Sequence, residues 1–170
     1  MNELTSKYKN GEILIKPTAI HYNAVLTALS RSPSRVHAET AMRILRYMEE
    51  ESSQVEPDRY SYSVTILACT RCHDLNFAAK HGAMELERME ERALLETERR
   101  HNVSSHAALP NVVMDVESYN TVLYALARSG LRDAPKRAMA MFDRMQHVFG
   151  LRPTIRSWSA LLETYAKSGA

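Results

Sequence analysis

Residues 117–130 read ESYNTVLYALARSG, residues 137–145 RAMAMFDRM and residues 151–154 LRPT. In the first piece Tyr119, Val122, Leu123 and Leu126 fall three and four apart, the stripe that one buried helix face requires. In the second, Ala138, Met141-Phe142 and Met145 repeat that spacing. Gly130 ends the first helix, Asp133-Ala-Pro135 starts the second with proline in its first turn, and Gly150 closes it. Pro153 then stops the helical path. The stretch predicts a helical hairpin.

The hairpin recurs along the chain. An aromatic residue, then a small polar one, then a basic residue eight positions further on occur as Tyr22-Asn23 with Arg31, Tyr62-Ser63 with Arg71, Tyr119-Asn120 with Arg128, and Trp158-Ser159 with Lys167. The aromatic residues stand 40, 57 and 39 residues apart. Around them the apolar stripe repeats as Val25, Leu26 and Leu29, then Thr65, Ile66 and Cys69, then Leu161, Leu162 and Tyr165. Second helices carry a small residue seven before a methionine: Ala41 to Met48, Gly82 to Met89, Ala138 to Met145. Units close on KPT (Lys16 to Thr18), EPD (Glu56 to Asp58) and RPT (Arg152 to Thr154), and the second on Val113-Met114-Asp115. Self-similarity at such a period marks an array of stacked helical pairs.

The expected fold is therefore all-α: a right-handed solenoid of helix-turn-helix repeats, with three complete hairpins, a final first helix, and the first helices lining its concave face. Its divisions are a tail of a preceding repeat or a linker (1–18), repeat 1 (19–58), repeat 2 (59–115), repeat 3 (116–154) and a partial repeat 4 (155–170). Repeat 2 contains an insertion at about 90–112, read as a charged helical extension from Glu90 to Arg100 that loosens into HNVSSHAALPN. The carboxylates Glu85, Glu87, Glu90 and Glu91, interleaved with Arg88 and Arg92, read as a solvated helix face.

Composition agrees with helices and narrows function. The chain has 170 residues, 45% of them hydrophobic, with nine Met, five Gly and three Phe, a poor recipe for a strand-rich sandwich. Net charge is +2 and the pI about 8.6, mildly basic, so a nucleic-acid partner must be argued from where the basic residues stand. No apolar run reaches the roughly 20 residues of a membrane span. The opening MNELTSKYKNGEILIKPT reads as neither a secretory signal nor an organelle presequence. Two cysteines make no disulfide framework. Cys69-Thr-Arg-Cys72-His73 matches the short C-x-x-C-H haem-attachment pattern, but Cys69 falls on the buried stripe, and zinc lacks a second ligand pair at suitable spacing. No Gly-rich phosphate loop, G-x-S-x-G or H-E-x-x-H is present, so neither an enzyme nor a cofactor is expected.

Tyr-Asn opening a first helix, Ala138-x-x-x-Phe142-x-x-Met145 in the second and Pro-Asp closing a unit resemble the pentatricopeptide repeat of organellar RNA-binding proteins. That resemblance implies sequence-selective binding of single-stranded RNA, one base per unit, in a mitochondrion or plastid. It implies base-reading pairs Asn23 with Asp58, Ser63 with Asp115, and Asn120 with Thr154, and Ser159 for the last unit. By family analogy Asn with Asp favours uracil, Ser with Asp a purine, and Asn with Thr a pyrimidine. Ile20, Tyr60, Glu117 and Arg156 should lie against base faces, Glu117 being a poor neighbour for a phosphate-rich ligand. Arg31, Arg71, Arg128 and Lys167 would contact phosphates, although a cation near a helix C-terminus also complements the helix dipole. Tyr22, Tyr62, Tyr119 and Trp158 read as packing residues. Protein partners could dock on the insertion; neither a membrane nor a small-molecule substrate is expected. The rival reading is a tetratricopeptide-like protein-interaction scaffold, although the W-x2-L-G-x2-Y opening of that repeat is absent.

Overall fold

The computed structural model describes residues 7, 10, 17–50, 55–102 and 110–168. Most of the expected 1–18 tail and residues 103–109 of the insertion lie outside the described residues, as does Gly169. Among the described residues the chain is all-helical, with no strand. Its helices are α1 (Ala19–Ser30), α2 (Arg35–Glu49), α3 (Arg59–Thr70), α4 (Leu75–Asn102), α5 (Val116–Ser129), α6 (Ala134–Asp143) and α7 (Ile155–Ser168). A π-helical turn, Arg144–Val148, extends α6.

Two layers follow from the two stripes. Helices α1, α3, α5 and α7 pack side by side, each against the next. Each of α2, α4 and α6 packs against the helix before it and the helix after it, so the second layer bridges successive members of the first. The result is a helical repeat solenoid. Its interior is built from the stripe residues: Tyr22, Leu26, Ile44 and Met48 at one end, then Tyr62, Ile66, Leu86, Met89, Tyr119, Leu123, Leu126, Phe142 and Met145. Gly82 marks a close crossing, because a Cβ there would stand 2.7 Å from the Thr70 methyl of α3. Gly130, at φ 63°, ends α5 in the left-handed region that glycine enters without penalty.

The three tyrosines are buried to 1% exposure or less, as packing residues should be, whereas Trp158 is 51% exposed. It rests on Phe142, ring centroids 4.6 Å apart. Among the described residues α7 is the last element, packed on α5 and α6, and Leu162 and Tyr165 of its stripe are also exposed. Cys69 and Cys72 are free thiols buried with Ala38, Met42, Phe77 and Ala78, and burial pushes the Cys69 thiol up. Among the described residues no three His, Cys, Asp or Glu side chains are grouped to hold a metal ion, and no helix is long and apolar enough to cross a membrane.

The expectation of a solvated acidic face on α4 holds at Glu87 and Glu91, which are exposed, and is corrected at Glu85 and Glu90. Glu85 is fully buried, and Glu90 and Glu96 nearly so. Glu90 joins neighbouring helices, Glu96 holds the segment before α5, and Glu85 pairs with Arg88 of its own helix. The Tyr62 hydroxyl donates to Glu49 at the end of α2 (2.7 Å), and Arg88 of α4 pairs with that same Glu49. One repeat later the Tyr119 hydroxyl donates to Glu90 of α4 (2.6 Å), which also accepts from Arg144 after α6 (2.9 Å). Each Tyr–Glu–Arg triad thus ties a first-layer helix to the second-layer helices on both sides of it. Arg88 additionally holds Glu85 (2.9 Å), so one guanidinium serves two carboxylates. Burial pushes the Glu85 carboxyl up to about 7.

The insertion is helical through Asn102, and Ala93 and Glu96 of this extension are buried. The chain then returns over α3. Val112 N–H donates to Glu96 (3.0 Å) and Arg59 N–H to the Asn111 carbonyl (2.9 Å), so the start of α3 is pinned by the returning segment.

Candidate nucleic-acid interface

The residue that closes one unit is also the residue that starts the next first helix. Asp58 caps α3 by accepting from Ser61 N–H (2.8 Å), and Asp115 caps α5 by accepting from Ser118 N–H (2.8 Å). Thr154 does the same before α7, its Oγ1 accepting from Ser157 N–H (3.4 Å) while its own N–H donates to Ser157 Oγ (2.9 Å). At α1 the place of the serine is taken by His21, whose Nδ1 accepts from Thr18 N–H (3.2 Å). These caps satisfy helix N–H groups that have no partner inside the helix. They also hold the closing side chain beside the previous first helix.

That geometry brings two of the three predicted pairs into contact. Asn23 Nδ2 donates to both Asp58 carboxylate oxygens at 3.2 Å. Asn120 Nδ2 donates to Thr154 Oγ1 at 3.3 Å. In both cases the cap serine completes the set: Ser61 Oγ donates to Asn23 Oδ1 (2.7 Å) and Ser157 Oγ to Asn120 Oδ1 (2.6 Å). The two amides are 9% and 8% exposed, at the seam between adjacent first helices. Ser63 is arranged differently. Its hydroxyl lies 3.2 Å from Ser118 Oγ and donates to the Arg59 carbonyl (2.9 Å), and it shares a groove of about 320 Å³ with Asp115. Asp115 in turn accepts from Arg59 (3.1 Å).

Ser61, Ser118 and Ser157 were not singled out in the sequence. Their signal is present nonetheless, a serine immediately before the aromatic in three of the four copies. It reads as filler until the cap geometry shows a hydroxyl shared between two helices.

Ile20, Tyr60, Glu117 and Arg156 are all exposed near the starts of the first helices. The Tyr60 hydroxyl lies 3.1 Å from Thr27 Oγ1, and Arg156 pairs with Glu117 (3.4 Å), offsetting that carboxylate. Among the basic row, Lys167 pairs with Glu163 on its own helix. Arg31, Arg71 and Arg128 have no carboxylate within ion-pair reach among the described residues. Arg71 reaches the Ser30 carbonyl at the end of α1 (3.5 Å), and the Arg128 guanidinium stands over the Tyr124 ring, 5.8 Å from its centroid. Arg71, Arg128, Asn120, Arg156 and Ser159 line a single groove of about 620 Å³ across α3, α5 and α7. Amides, hydroxyls and cations without acidic partners therefore share one face of the first layer.

Residues 106–168 match the family model of the pentatricopeptide repeat domain. Over that part the chain is similar to the pentatricopeptide repeat family, whose proteins are generally RNA-binding helical arrays. No curated protein matches the chain.

Proposed function

We propose that this chain, similar to the pentatricopeptide repeat family over residues 106–168, binds single-stranded RNA sequence-selectively along the face of α1, α3, α5 and α7, without catalysis. The observation that carries this reading is the seam geometry: an amide or hydroxyl one helix over from a capping carboxylate or hydroxyl, beside arginines with no acidic partner. Repeats 19–58, 59–115 and 116–154 are the reading units, and 155–170 supplies a further first helix. Asn23 with Asp58 selects uracil, Ser63 with Asp115 a purine, and Asn120 with Thr154 a pyrimidine. A Watson–Crick edge offers the donors and acceptors these side chains now exchange with one another, so binding swaps internal hydrogen bonds for hydrogen bonds to the base. Such an exchange gives selectivity with little net energy. Affinity comes from Arg31, Arg71, Arg128 and Lys167 on phosphates, and from stacking at Ile20, Tyr60 and Arg156. By family analogy the site of action is a mitochondrion or plastid, in RNA processing, stability or translation, and α4 beyond Glu90 offers a surface for protein partners.

The test is fluorescence anisotropy with short labelled single strands containing U and G, in a salt series. Each neutralised phosphate should contribute about 0.7 to the slope of log affinity against log salt. The Asn23→Ala, Ser63→Ala double variant should lose discrimination among bases. Unchanged discrimination in that variant would remove base reading and return the tetratricopeptide-like scaffold to the front.

A further inference from the structure

Tyr124 has a job that none of the repeated positions assigns. It stands one helical turn after Asn120, where the other first helices carry Thr27, Leu67 and Glu163. A phenol ring in the middle of α5 is nevertheless 55% exposed, in the larger groove, with Asn120 and Ile155 on its walls. The Arg128 guanidinium lies over the ring, 5.8 Å from its centroid, and Arg71, just past the end of α3, lines the same groove. The charge around the ring is unbalanced. Both groove carboxylates are bridged by cations, Glu117 by Arg156 and Glu163 by Lys167, which leaves Arg71 and Arg128 without acidic partners. An aromatic plane backed by one guanidinium, with another lining the same groove, suits a flat ring on a polyanionic backbone.

We propose that Tyr124 is a stacking platform for one nucleobase of the bound strand, with Arg128 backing the ring and Arg71 on the flanking phosphate. This rests on the RNA-binding reading and adds to it a contact that grips a base by its face, indifferent to which base it is.

The test compares the full chain with Tyr124→Leu and Tyr124→Trp, on two fluorescein-labelled probes: a 12-nucleotide oligouridine and an abasic ribose-phosphate strand of the same length. Tyr124→Leu should weaken oligouridine binding about tenfold and leave abasic binding unchanged, because stacking needs a base. Tyr124→Trp should hold or tighten it. A Leu variant that changes neither probe, or both equally, overturns the platform. If that variant binds normally while Asn23→Ala, Ser63→Ala loses base discrimination, base reading stands and only the platform falls. A wild-type chain that binds neither of these probes nor the strands containing U and G removes both, and points to a protein ligand for the Tyr124 groove.

Discussion

Each closing residue proposed to read a base is also structural, and this double duty makes the assignments separable by experiment. Asp58 caps α3 through Ser61 and accepts from Asn23. Asp58→Ala should cost about 1 kcal/mol in chemical denaturation, the usual loss for a removed cap. Asp58→Asn keeps a side-chain oxygen for the cap and should hold stability within about 0.5 kcal/mol. It removes the carboxylate that would choose the base, so the preference of the first unit should change while the melting curve does not. A stability loss in Asn equal to that in Ala would mean that the charge, rather than the cap, is what the site needs. Repeats marked Asn23 and Asp58 as recurrent positions, and the resemblance to the pentatricopeptide repeat implied that they form a pair. That Asn23 and Asp58 touch, through a serine between them, was not legible in the sequence: a hydrogen bond between two helices leaves no period in the chain.

At the scale of single elements the reading from sequence went furthest, since an apolar stripe at three-and-four spacing is a direct imprint of a buried helix face. The small residue seven before the methionine was also visible, and at Gly82 the reason is now concrete. Thr70 Oγ1 donates to the Ile66 carbonyl (2.9 Å), which fixes the rotamer and points its methyl at the place a Cβ would fill. Gly82→Ala should therefore lose about 1–3 kcal/mol to overpacking, against a gain of about 1 kcal/mol in helix propensity. Thr70→Ser deletes the methyl and keeps the hydroxyl. Combining the two substitutions should recover the loss and leave the double variant at least as stable as Thr70→Ser alone. A double-variant cycle in urea reads this coupling directly, and additive losses would contradict it. What periodicity could not reveal in α4 was the fate of its acids. Glu85 and Glu90 carry the pattern of a solvated face, and burial is tolerable because Tyr119 and Arg144 arrive from other elements at Glu90 and Arg88 of the same helix pairs with Glu85.

Across the whole molecule these triads set how the repeats move together. In an array where each repeat meets only its neighbours, stability divides into local contributions and couplings between adjacent repeats. The apolar core supplies most of that coupling but little angular preference, because burial is non-directional. Tyr62–Glu49–Arg88 and Tyr119–Glu90–Arg144 supply direction, and each fixes one first-layer helix against both flanking second-layer helices. The seam between α3 and α5, where Ser63 meets Ser118, lies on the other face of the same helix pair, so its geometry depends on that angle. Tyr119→Phe removes one hydrogen bond to a carboxylate and should cost about 1.5–3 kcal/mol. Arg144→Met leaves Glu90 almost buried without its cation and should cost more, about 3 kcal/mol or above. If the triad is the coupling, the loss will not be shared evenly. Amide hydrogen exchange should rise in α5 to α7 while α1 and α2 keep their protection, and denaturation of Arg144→Met should broaden or split. RNA affinity should fall in both variants although neither residue lines the binding face. A uniform rise in exchange along the whole chain, with a single sharp transition, would show that the repeats are held in register by apolar packing alone.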